Sequence, residues 1–196
     1  MFSYLRQFET ARVEKVIIGD MTPKIVNDDE WKLGLYQGWY KQNNLEEDLF
    51  NIVKDYEKFN IFFSCQLITK NRTEDFRDFK MDMTDLLEII QDRLGGQMNV
   101  SENLHALNAI TEEQKKIRYD YWKTMSEADF RIDLTKIDVP AGIVYADPGV
   151  IYYPATAEYM AEQIPNAVML PMKDCTPMCV SEKSNDYVQY IVSFCK

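Results

Sequence analysis

The chain has 196 residues, 46% of them hydrophobic, with a formal net charge of -10. That length and apolar content suit one globular domain with a buried core and room for one large insertion. The acidic balance and the scatter of the basic residues argue against binding a phosphate backbone, so no nucleic-acid partner is expected.

The densest basic run, Lys115-Lys116-Ile117-Arg118, reads as the solvated face of a helix. No apolar run approaches the ~20 residues needed to span a bilayer, and the first residues, Met1-Phe2-Ser3-Tyr4-Leu5-Arg6, lack a signal-peptide layout. No membrane association is therefore expected. Four cysteines, Cys65, Cys175, Cys179 and Cys195, are sparse for a secreted disulfide scaffold, which points to free thiols and a cytoplasmic setting. With His105 as the single histidine, Cys175 and Cys179 do not make a zinc shell, and no metal or other cofactor is expected.

In chain order, Phe2, Leu5 and Phe8 form one stripe of a short helix, and residues 13–19 read as a buried strand ending at Asp20. From about residue 27 to 137 strand signals vanish and amphipathic helical runs take over. One covers residues 45–59, with Leu49, Ile52, Val53 and Tyr56 on a face. A second covers 84–94 and ends at Gly95-Gly96, after a polar loop or short helix over 71–82. A third covers 111–125, opened by Thr111 with an acidic first turn. Residues 141–145 form the next strand, introduced by Pro140. A helix over 154–164 buries Ala157, Met160, Ala161 and Ile164, and a third strand over 167–170 stops at Pro171. Strand, helix and strand in so short a span imply a parallel pair. The last helix, 185–194, presents Tyr187, Val188, Ile191 and Val192, and Ser184 supplies its N-cap.

Three stretches carry a resemblance: Val16-Ile17-Ile18-Gly19-Asp20-Met21-Thr22-Pro23, the run from Ile137-Asp138-Val139-Pro140 through Ile164-Pro165-Asn166-Ala167, and Asp174-Cys175-Thr176-Pro177 on to Glu182. In this order the chain resembles the C-terminal portion of an α/β-hydrolase with a helical cap, of the haloperoxidase or esterase-like branch. The resemblance implies an α/β fold of about three parallel strands with flanking helices and a large cap insertion. Residues 1–26 and 138–196 would form the partial core and residues 27–137 the cap. Trp31-Lys32-Leu33-Gly34-Leu35-Tyr36 resembles the start of such a cap, which makes Trp31 and Tyr36 the expected substrate-binding side chains.

The departures from that pattern bear on chemistry. The family's nucleophile sits in a G-x-S-x-G elbow, and no such motif occurs in these residues. The sequence reads as if the chain starts just after the nucleophile. Pro177 stands where the resemblance places the triad histidine. A triad acid after the penultimate strand would fall on Gly149, with Asp147 two residues early, whereas Asp20 suits the branches whose acid follows the strand before the cap. Asp20 is thus the expected relic acid. Its alternative reading is a strand-end aspartate that caps the turn toward Thr22-Pro23. His105 reads as a cap residue, and Cys175 or Cys179 would need a depressed thiol pKa to act as nucleophiles.

Three functional readings follow. The first is a truncated or degenerate serine hydrolase, inactive alone, with an ester-type ligand in the cap cleft. The second is an enzyme of another design using Asp20, Asp147 and Glu182. The third is a binding or assembly module that recruits a partner through the cap surface or self-associates through an exposed strand edge.

Overall fold

The computed structural model describes residues 1–36, 38–68 and 109–196. The expected helix over 84–94, the polar segment 71–82 and His105 lie outside the described residues. Strands β1 (Val16–Gly19), β2 (Ala141–Pro148) and β3 (Ala167–Cys175) form a parallel sheet in the order β1-β2-β3. Val16 pairs with Ala141, which in turn pairs with Ala167.

β1 begins three residues later than the apolar run does. Val13 donates its N–H to Thr10 in a turn, at 2.9 Å, and Lys15 reaches over to the Phe194 carbonyl at 2.8 Å. β3, in contrast, runs straight through Pro171. Among the described residues β3 pairs only with β2. The Pro171 carbonyl accepts from the Tyr190 hydroxyl at 3.3 Å, so this residue's polar edge points away from β2. A residue's N–H and C=O leave a strand on the same side, so the missing N–H costs no ladder bond.

Seven described helices pack on or above this sheet. α1 (Phe2–Phe8) buries Phe2 and Leu5 but leaves Phe8 exposed. α5 (Pro154–Gln163) connects β2 to β3 and buries Ala157 and Met160, with Ile164 at its C-cap. These helices and a 3-10 turn (Arg131–Lys136) cover one sheet face, where Val16, Ile18, Ile143 and Tyr145 meet Leu5, Leu134 and Met160. On the other face Val144, Ala146 and Met172 meet Cys175 and Cys179, flanked by Ile17, Leu170, Tyr187 and Tyr190. Burial on both faces explains the near-continuous apolar strands.

α6 (Cys179–Glu182) and α7 (Ser184–Cys195) close that second face. The α7 stripe differs from the expected one. Val188 and Val192 are exposed, and Tyr187, Tyr190, Ile191 and Phe194 turn inward instead. The spacing 187, 190, 191, 194 is the better helical face, since residues three and four apart share a side.

The run expected as one helix over 45–59 is two, α2 (Gln42–Lys54) and α3 (Tyr56–Ile68). Asp55 breaks it with φ -147°, and its carboxylate accepts from the Lys58 N–H at 3.3 Å. An aspartate N-cap competes with helix continuation there. α4 (Glu112–Glu127) starts as expected: the Thr111 hydroxyl accepts from the Gln114 N–H, and the Gln114 side chain accepts from the Thr111 N–H. Ile52 of α2 and Tyr56 and Phe59 of α3 pack together against Trp122 of α4. No described helix is long and apolar enough to cross a membrane.

Candidate functional site

The three strands deliver their carboxyl ends to one side of the sheet, where ligand sites of open α/β folds lie. β1 hands over to Asp20, whose φ of 42° lies in the left-handed region. Aspartate tolerates that region better than a branched residue does. The Asp20 N–H donates to the Val144 carbonyl at 2.7 Å, and its carboxylate accepts from the Ala146 N–H. The side chain is thereby held beneath the end of β2. Its Oδ1 is buried and has no hydrogen-bond partner. Burial pushes this carboxyl up to about 7, only partly offset by the Ala146 N–H.

Asp20 and Pro177 line the same cavity, of about 320 Å³. Val144 from β2, Cys179 and Val180 from α6 and Tyr187 from α7 complete the sheet side. Met21, Leu35, Ile151 and Tyr152 make the rim between sheet and helices, and Phe63, Trp122 and Met125 form the opposite wall. That volume and apolar lining fall in the range of small-molecule sites.

Two networks position these walls. Buried Asn27 donates to the Leu35 and Tyr40 carbonyls, both at 2.9 Å, and accepts from the Gly34 N–H at 2.8 Å. It thus folds the 20–41 segment so that Leu35 faces the cavity. On the helical side the Trp122 Nε1–H donates to the Tyr40 hydroxyl at 3.1 Å, and that hydroxyl donates to Asp48 at 2.6 Å. Burial pushes the Asp48 carboxyl up to about 6 despite the Tyr40 bond.

The loop bearing Pro177 is clamped. The Thr176 N–H and hydroxyl both donate to the Glu182 carboxylate, at 2.9 and 2.8 Å, and the Thr176 hydroxyl accepts from the Met178 N–H at 3.1 Å. Asp147 is engaged on the surface by Lys173. Asp147 and Glu182, weighed with Asp20 as a carboxylate set, therefore do not join it in the cavity wall. Gly149 has φ 67°, and a Cβ there would fall 2.3 Å from the Tyr152 carbonyl oxygen and 2.8 Å from that of Ala146. No acid fits at that position in this backbone.

Trp31 and Tyr36 do not line the cavity. The Trp31 indole N–H donates to the Lys24 carbonyl at 2.9 Å, its ring meets Tyr159 edge-on at 5.0 Å, and Arg131 lies over it. Tyr36 is enclosed by Trp39, Tyr40 and Phe62. Both pack the segment after β1, whose cavity-facing residues past Asp20 are Met21 and Leu35. Sequence reasoning missed Phe63, Trp122 and Tyr152 as wall residues. Trp122 carries a weak signal, the single tryptophan of a polar helix that also holds Tyr119 and Tyr121.

Burial raises both thiols facing this region, Cys179 to about 12. Neither is an activated nucleophile. Among the described residues no cluster of three or more His, Cys, Asp or Glu side chains could hold a metal.

This parallel sheet, with its crossover helix and its helices above the carboxyl ends, is part of the α/β-hydrolase fold. Solved structures with this fold include a bromoperoxidase from Bacillus anthracis, 18% identical with TM-score 0.69, matched over 98% of this chain and 62% of that one. An esterase from Exiguobacterium antarcticum is 15% identical with TM-score 0.69, covering 98% and 61% respectively. The enol-lactonase of Burkholderia xenovorans is 14% identical with TM-score 0.65, covering 97% and 59%. The chain thus spans about 60% of the length of these enzymes. No known family pattern and no curated protein sequence matches it.

Proposed function

We propose that this chain is a degenerate serine hydrolase scaffold that hydrolyses nothing by itself and keeps the ligand cleft of an ester-type enzyme. The observation carrying this reading is that Asp20 and Pro177 share one cavity wall. In a working triad the acid orients an imidazole and stabilises its cation. A proline ring has no proton to exchange, so a carboxyl at Asp20 has no base to orient. Loss of the base or the nucleophile alone removes most of a triad's rate enhancement. Asp20 is then the relic acid, and residues 27–137 the cap. A reducing cytoplasm fits the same reading, since Cys175, Cys179 and Cys195 are free thiols.

The test is a turnover assay with a simple aryl ester at high protein concentration. The expected result is no rate above that of buffer. Saturable turnover would overturn the reading.

A second reading has its own support. Among the described residues β1 pairs only on its β2 side, which leaves the other edge of Val16–Gly19 to recruit a second copy of the chain. Light scattering at micromolar concentration is expected to show self-association, and a clean monomer would count against it.

A further inference from the structure

We infer that the cavity above the sheet is a binding site for a small organic ammonium ion with an apolar body, its cationic head held by Asp20. Asp20 is the only carboxylate in the lining among the described residues, it is buried, and its Oδ1 has no hydrogen-bond donor. Among the described residues no lysine, arginine or histidine lines the cavity, and Asp20 enters no salt bridge. A buried carboxylate without a counter-charge is costly, and that cost is lifted by a cation placed against it. The remaining lining favours the same occupant. Phe63, Trp122 and Tyr152 bring aromatic rings to the lining, and aromatic rings attract cations and cover an apolar tail. Met21 and Met125 add polarizable, adaptable surface. An anionic ligand would meet Asp20 with like charge and find no basic partner among the described residues.

The titratable groups around Asp20 sharpen the expectation. Tyr187 from α7, Tyr152 from the segment after β2 and Cys179 from α6 all have their pKa values raised by burial, and β2 contributes only the Ala146 backbone. All three stay neutral near pH 7. Asp20, pushed up to about 7, is the group among them that changes charge there. Ammonium binding then requires its ionised form. Affinity should fall about tenfold per pH unit below about 7, while an ammonium head keeps its proton.

This site goes beyond the ester question, because an ammonium probe has no bond to hydrolyse and its binding is read apart from turnover. The experiment is calorimetric titration of the whole chain with 2-phenylethylammonium chloride and with 2-phenylethanol, at pH 5 through 8, with Trp fluorescence as a second readout. The ammonium ion is expected to bind at pH 8 at least tenfold tighter than the alcohol, and to weaken steeply toward pH 5. Asp20→Asn, checked for fold by circular dichroism, is expected to lose at least tenfold of the ammonium affinity and leave the alcohol unchanged. Equal binding of alcohol and ammonium, a pH-independent ammonium affinity, or no ammonium binding at millimolar concentration would each overturn the inference. Those three outcomes are read on the unaltered chain, so a misfolded variant does not rescue it.

Discussion

Glu182 holds Thr176 by two hydrogen bonds, one from its N–H and one from its hydroxyl, and so fixes the turn that brings Pro177 into the cavity wall. Thr176 is fully buried, so both donors depend on this carboxylate. Glu182→Ala should strand them and destabilise the fold by about 3 kcal/mol, with Glu182→Gln recovering part of the loss. Urea midpoints of the three proteins check this. An unchanged midpoint for the alanine variant would mean that the turn is held by its packing alone.

On the proposed reading, a histidine at position 177 alone should not confer ester hydrolysis. Pro177→His would place an imidazole near Asp20, yet these residues contain no G-x-S-x-G elbow for it to activate. An aryl-ester assay of the variant is expected to show the same background as the parent. Measurable turnover would reveal a nucleophile elsewhere in the chain.

Stability should fall as pH rises through the range in which Asp20 keeps a proton only when folded. Its folded value is about 7 against an ordinary 3.8. Between those values the native state binds more protons than the unfolded one, so unfolding becomes easier with rising pH and levels off above about 7. The full effect is about 4 kcal/mol at most. Denaturant titrations of the parent and Asp20→Asn from pH 4 to pH 8 should diverge in that window, the variant gaining on the parent. Parallel curves would mean the carboxyl is solvated in a way its surroundings do not indicate.

Thiol labelling should separate the cysteines by position. Cys195 is exposed, whereas Cys175 and Cys179 are buried and their thiols are pushed up by that burial. Iodoacetamide at pH 8 followed by peptide mapping should modify Cys195 at least tenfold faster than either buried thiol. Comparable rates would indicate that the α6 face opens readily.

Much of the frame was legible in the residues. The Val- and Ile-rich runs before Asp20 and after Pro140 could only be buried strands, and Thr111 with Gln114 marked the start of α4. Pro171 misled because a proline's effect on a strand depends on which edge it faces, a property of the sheet rather than of the local sequence. The break at Asp55 hid for a similar reason: its carboxylate had a cap to make as well as a helix to continue. At the site, Asp20 and Pro177, singled out by their positions after β1 and β3, were found in the cavity wall. Trp31 and Tyr36 were not, since an aromatic in a segment that folds over a sheet serves wall and interior equally well until Asn27 decides which way the segment turns.

The bend at Gly149 restricts where an acid can be placed beside this cavity. Side chains can be exchanged one at a time, but a carboxylate after β2 has no volume until the Tyr152 and Ala146 carbonyls move. A designer who wrote histidine at 177 and serine into an elbow would still have to redraw that main-chain path before the usual acid could be housed there. Asp20 escapes this restriction: the left-handed turn after β1 already accommodates its side chain. A proton relay at this cavity would therefore have to be built outward from the first strand, and that asymmetry belongs to the backbone rather than to the side chains.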